Sequence, residues 1–81
     1  MSRSTMPPLT IRPAYANDER AVWRLAALDS ARVPRGPLLL AEVQGELRAA
    51  VSMSDSASIA DPFHLTADLV GLLRDHIART G

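Results

Sequence analysis

Leu38-Leu-Leu-Ala-Glu-Val43 is apolar on both faces over its first half, and Gln44-Gly45 follows at once. Successive side chains of a strand point to opposite faces, so this segment offers apolar groups to both sides of a sheet. A strand of that kind belongs at the centre of a sheet and is covered on both sides. Gln44-Gly45 reads as a tight turn, with Gly45 supplying the positive φ that a hairpin requires. The return strand is expected over residues 46–53. Period-two alternation then places Leu47, Ala49, Val51 and Met53 on one face and Glu46, Arg48, Ala50 and Ser52 on the other.

The remaining segments must supply the covering layers. Leu9-Thr-Ile-Arg-Pro13 alternates as a half-buried edge strand does, and Pro13 ends it. Asn17 is a suitable N-cap, with Asp18 and Glu19 where a helix dipole favours negative charge. That helix is expected to run to about Asp29, with Ala21, Val22, Leu25, Ala26 and Leu28 as its buried stripe and Trp23 half-buried on the flank. Residues 31–37 hold Arg32, Pro34, Arg35, Gly36 and Pro37 and read as a loop. Asp55-Ser56 turns the chain before a short strand over residues 57–60. Thr66 is expected to cap a final helix, with Leu65 stapled against Val70, Asp68 in the first turn and Gly81 as the stop. Leu69, Leu72, Leu73, His76 and Ile77 form its predicted stripe, and Asp75 and Arg79 an i,i+4 ion pair. The order is β-α-β-β-β-α, with no internal repeat.

Eighty-one residues make one small domain. Residues 9–81 are assigned to it, and residues 1–8 to a disordered lead-in. At this size roughly 60% of the unfolded surface is buried on folding, so stability is marginal without a staple or a partner. There is no Cys and there are two His residues, which removes disulfides and a structural zinc site. Since no apolar run approaches the ~20 residues of a membrane span, and no signal peptide opens the chain, a soluble, cytoplasmic domain is expected. A net charge of zero argues against a nucleic-acid binder with a broad basic face. The charge is nevertheless uneven. Residues 1–40 carry six Arg and three acids (+3), and residues 41–81 carry three Arg and six acids (−3).

Leu9-Thr-Ile-Arg-Pro-Ala14 followed by Asn17-Asp18 resembles the opening strand and first helix of the GNAT N-acetyltransferases. Leu40-Ala-Glu-Val-Gln-Gly-Glu-Leu47 resembles their second-to-third-strand hairpin, and Ser58-Ile-Ala-Asp-Pro-Phe-His-Leu-Thr-Ala-Asp-Leu-Val70 their cofactor-binding strand–loop–helix. The resemblance covers residues 9–79 and about half of a usual family member. It implies a GNAT-like partial fold, a small and mostly antiparallel sheet with two helices. Family members hold the acetyl-CoA pyrophosphate on backbone N–H groups of a Gln/Arg-x-x-Gly-x-Gly/Ala loop at a helix start. Here the matching segment has no Gly before Gly71, and Asp68 puts a negative charge where phosphate would sit. The later strands and the usual tyrosine acid have no counterpart. No catalytic residue carries over, no cofactor is expected, and no cofactor-binding or metal residue is assigned.

Other candidates each have two readings. His64 is a base or anion contact, or plain surface beside a cap; His76 is a core-edge residue or part of a subunit interface. Ser52, Ser54, Ser56 and Ser58 alternate without a nucleophile-elbow context and read as a polar sheet face. Glu42 is a general base on a central strand, or is exposed or paired with Arg48 across the hairpin. Asp61 organises its loop through a side-chain oxygen. Arg32 and Arg35 contact an anionic ligand or are solvated, in the loop where GNAT proteins often meet acceptors. Val33-Pro-Arg-Gly36 resembles a protease-tag site but reads as native loop.

The expectation is a degenerate GNAT-like domain, non-catalytic alone, acting as a binding or assembly module. One alternative is a minimal acetyl-CoA-dependent N-acyltransferase with a non-standard phosphate loop around residues 65–69. Another is a regulatory or antitoxin-like partner of another protein. Whether both helices cover one face is open from the sequence. A strand apolar on both faces needs two covers, so a homodimer is expected, built on the exposed sheet face or on the edge left by the absent strands, with a protein partner as the other possibility and neither nucleic acid, membrane nor metal.

Overall fold

The computed structural model describes residues 8–63 and 67–80. Its elements are β1 (Leu9–Pro13), α1 (Glu19–Leu28), β2 (Leu38–Val43), β3 (Glu46–Ser52), β4 (Ser58–Ala60) and α2 (Ala67–Thr80). The strands form one antiparallel sheet in the order β1-β2-β3-β4, so the fold is α+β with a meander sheet and two helices. Gln44 and Gly45 take φ of 54° and 80° and close the central hairpin in a turn whose twist matches the strands it joins.

The two helices lie on opposite faces. Val22, Leu25 and Ala26 of α1 pack on Leu38, Leu40, Ala50 and Ile59. Leu73 of α2, with Leu69, Val70 and Ile77, packs on Leu39, Ala41, Ala49 and Val51. Each face of β2 is therefore covered from within the chain, which removes the argument that a second subunit must cover one of them. Ala41, Ala49 and Ala50 are almost wholly buried. Small side chains there let both helices approach the sheet closely.

Several local expectations are corrected. The first helix begins at Glu19, after a single 3₁₀ turn over Ala16–Asp18, so Asp18 and not Asn17 occupies the cap position. Asp18 is diverted because its carboxylate is bound by Arg12 and by the Tyr15 N–H. Ala21 and Leu28 are exposed, and Trp23 is 64% exposed rather than half-buried. One helix on a flat sheet buries only a narrow stripe, and residues about 100° away from it reach solvent. On α2, Leu72 and His76 are exposed for the same reason, while Val70 takes a place on the stripe. Strand β3 stops at Ser52, leaving Met53 in the turn, and β4 starts at Ser58. Asp75 and Arg79 pair at 2.8 Å as expected. Thr66, Leu65, His64 and Gly81 lie outside the described residues, as does the lead-in through residue 7.

Helix α1 ends without glycine. Ser30 takes φ of 51°, the Ser30 N–H donates to Ala27 O, and the Ala31 N–H donates to Ala26 O. These two bonds form the Schellman motif, whose left-handed residue is usually Gly. Ser30→Gly is expected to raise unfolding free energy by about 0.5–1 kcal/mol, measured by urea denaturation, because glycine adopts this conformation without the Cβ penalty.

The return strand carries the decisive irregularity. Ala41 pairs with Ala49, but Glu42 pairs with Leu47, so Arg48 is an extra residue in β3. This β-bulge reverses the parity of everything before it. Leu47 consequently joins the α1-side cluster instead of facing the same way as Ala49 and Val51.

Candidate functional site

The bulge shapes a cleft of about 420 Å³ between α1 and the start of β3. Ala21, Leu25, Leu28 and Leu47 are its apolar lining; Arg24, Arg48, Glu46 and Asp61 are its charged lining. Asp61 follows β4 at the α1 side and is buried. Its Oδ2 accepts from Arg48 Nη1 at 3.1 Å, and its Oδ1 accepts from the Phe63 N–H at 2.9 Å. The second bond is the loop-organising role expected for Asp61. Arg48 Nη2 meets Glu46 Oε1 at 2.9 Å. Both acids of this lining are thus held by one guanidinium.

A second cluster joins β1, β2 and the turn before α1. Arg12 donates through Nη1 and Nη2 to both oxygens of Asp18, at 2.8 and 2.7 Å. Its Nε and Nη2 reach the two oxygens of Glu42 at 3.2 and 3.1 Å, and Nη1 also donates to Pro13 O. All five guanidinium donors are engaged. The group also stands 5.9 Å from the centroid of the Tyr15 ring. Hydrogen bonds from Arg12, and then from the Tyr15 N–H, lower the Asp18 pKa from its ordinary 3.8 to about 2. An acid held that firmly ionised is a weak base near neutral pH. Glu42 pairs with Arg12 and not with Arg48, because the bulge turns Arg48 toward β4.

Ser52 departs from the reading of a polar sheet face. It is fully buried; its hydroxyl donates to Arg35 O at 2.7 Å and accepts from the Ser54 and Asp55 N–H groups at 3.0 and 3.3 Å. This makes it the post that ties the 31–37 loop to the β3–β4 turn. The Met53 N–H to Pro37 O bond reinforces the same junction. Gly36, with φ of 74°, passes so close that a Cβ would meet Ser54 Oγ. Ser54 and Ser56 are exposed, and Ser58 is half-buried with its hydroxyl near Arg74 Nη2.

A third feature lies along the flank of α1 beside the 31–37 loop. Trp23, Ala26, Ala27, Ala31, Arg32 and Val33 line an open groove of about 520 Å³. Three alanines beside an indole leave depth next to its ring. Arg32 is brought to this groove; Arg35 is not, and serves instead through its backbone carbonyl. Arg20 and Arg24 flank Trp23 on the helix and are exposed. None of Arg20, Arg24 and Arg32 makes an ion pair among the described residues.

The free edge of the sheet is partly closed. Along β4 the 57, 59 and 61 backbone groups face β3, which leaves those of Ser58 and Ala60 facing outward. The Ala60 N–H is taken by Asp29 Oδ2 at 3.1 Å, from the end of α1. A carboxylate in that place blunts the edge against another strand.

Sequence reasoning missed the Arg12 cluster, the Arg48–Asp61 pair and the Trp23 groove. Only the last had a visible signal. Arg20, Trp23, Arg24 and Ala27 recur at three-to-four-residue spacing on the side away from Val22 and Leu25, so an outward Trp was readable from the helix period. Among the described residues, no group of three or more acids or His could hold a metal, and no helix is long and apolar enough to cross a membrane. Comparison with family models, with curated proteins and with solved structures finds no match to this chain.

Proposed function

We propose that the chain is a degenerate GNAT-like domain that acts as a binding or assembly module and does not transfer acyl groups by itself. The likeness in fold rests on the β1-α1-β2-β3-β4-α2 order and on the Gln44–Gly45 hairpin, which match what the sequence resemblance implies. One observation carries the non-catalytic reading: the cleft acids Asp61 and Glu46, and the neighbouring Asp18 and Glu42, are each bound to an Arg. A general base needs an unoccupied lone pair near the proton it removes, with a pKa close to the working pH. Asp68 in the first turn of α2 adds negative charge at the helix start where the family resemblance places pyrophosphate. What the molecule offers instead is surface, chiefly on α1. Self-association through an open sheet face has no place here, since α1 and α2 cover both faces.

Calorimetric titration with acetyl-CoA, with free CoA as control, tests this reading. No binding is expected up to ligand concentrations of about 1 mM, a limit corresponding to ~4 kcal/mol. Micromolar binding of acetyl-CoA would overturn it in favour of the minimal acyltransferase.

A further inference from the structure

We propose that the groove between α1 and the 31–37 loop, bordered by Trp23, is a docking site for an acidic protein segment that carries a bulky apolar side chain. This deepens the binding-module reading and rests on it for the premise that the chain works by binding.

Two independent features meet at this groove. The first is apolar. Trp23 is the only Trp in the chain and is 64% exposed, although α1 has a buried stripe available a third of a turn away. Its indole borders a groove floored by Ala26, Ala27, Ala31 and Val33, of a size typical for binding clefts. Exposed Trp beside small residues is the form that binding hot spots take, because a partner side chain stacks on the ring and excludes water from both.

The second is charge. The chain as a whole is neutral, yet its cations are distributed unequally between paired and unpaired sites. Arg12 is held by two carboxylates, Arg48 by two, and Arg79 by Asp75. Arg32 lines the groove, and Arg20 and Arg24 lie three residues before and one after Trp23 on the helix, none with such a partner among the described residues. Glu19 is the one acid exposed on the same stretch of helix, while Arg35 and Arg74, also without an ion pair among the described residues, lie elsewhere. An apolar slot with one Arg in its lining and two more on the adjoining helix turn is complementary to an apolar anchor accompanied by acids. Unneutralised charges beside such a slot act mainly on association rate and on partner choice.

A lipid surface fits these features less well. The apolar stripe of α1 is committed to the sheet, so the helix has no continuous apolar face to lay into a bilayer. Three cations beside one acid also fall short of the basic stripe that a nucleic acid requires.

The test is selection of a random peptide library on the intact chain, with binding of the enriched peptides to every variant measured by calorimetry. Enriched peptides are expected to hold a large aliphatic or aromatic residue flanked by Asp or Glu. Trp23→Ala should weaken them by tenfold or more, and Arg24→Gln and Arg32→Gln by a few-fold each. Raising salt from about 0.05 to 0.5 M should weaken the wild type more than the Arg variants. Because Trp23 is exposed, the Ala variant keeps its fold, which an unchanged unfolding midpoint verifies. Enrichment of basic or uncharged peptides, equal binding by Trp23→Ala, or no enrichment at all overturns the proposal. So does binding of anionic phospholipid vesicles in place of peptides. None of these outcomes alters the acetyl-CoA titration, so failure here and failure of the binding-module reading are separable.

Discussion

Leu73→Ala is expected to lower the unfolding free energy by about 3 kcal/mol. Leu73 is fully buried on the α2 side of the sheet and packs in one cluster with Leu39, Ala41, Ala49 and Val51. Its truncation removes transfer free energy and leaves a cavity that the facing alanines are too small to fill. A domain of this length has a total stability of roughly 4–12 kcal/mol, so the loss is a large fraction of the whole. Leu72→Ala is the matched control. Leu72 is 46% exposed on the neighbouring position of the same helix, and its truncation should cost only about 0.5 kcal/mol. Urea denaturation should show the midpoint of Leu73→Ala falling with little change in slope. Equal losses from the two variants would mean that α2 does not seat Leu73 against the sheet.

Arg12→Met is expected to cost about 2 kcal/mol at neutral pH, and the cost should shrink as pH falls. The variant keeps the length of the side chain but leaves Asp18 and Glu42 facing each other without their cation. Hydrogen bonds to charged groups contribute about 1.5–3 kcal/mol each, and solvent access to this cluster holds the net near the lower end. The pH dependence follows from the depressed Asp18 pKa. Unfolded, Asp18 takes up its proton around 3.8; folded, it does so only around 2. Its contribution is therefore complete above about pH 4 and is lost as pH falls through about 2. In Arg12→Met most of that difference disappears, although the Tyr15 N–H still favours the ionised form. Asp55, whose pKa is lowered chiefly by the hydrogen bond from the Ala57 N–H, leaves a residual acid sensitivity in both proteins. Urea titrations at pH 7, 4, 3 and 2 should show the two stability curves converging at the acid end. A gap that stays constant with pH would remove Asp18 from the account.

The two variants probe interactions of unequal legibility. Leu73 was placed on the buried stripe of its helix by spacing alone, and the structure agrees. The Arg12 cluster was not readable, because Arg12, Asp18 and Glu42 sit at separations of 6 and 30 residues and meet only through the β1–β2 pairing and the turn before α1. Arg48 shows the same limit more sharply. Unbroken alternation puts Leu47 with Ala49 and Val51, and the bulge at Arg48 undoes it. A single inserted residue has no local signature here, since Arg48 is not glycine and no glycine or proline interrupts residues 46–52. Ser52 was read as surface because its spacing matched Ser54, Ser56 and Ser58. Its burial depends on the Arg35 carbonyl, which a distant loop delivers.

By itself the sequence determined the order of elements, the centrality of β2, the hairpin at Gln44–Gly45 and most of each helical stripe. These are consequences of period, turn chemistry and residue size, and each is decided within a few residues of chain. Only the tertiary structure decided that α1 and α2 take opposite faces, that Arg48 bulges, and that the 31–37 loop closes a groove beside Trp23. The two faces of β2 are nearly equivalent in apolarity, with Leu38 and Leu40 on one and Leu39 and Ala41 on the other, so local pattern could not assign a helix to either. That choice belongs to the packing of both helices against the whole sheet at once.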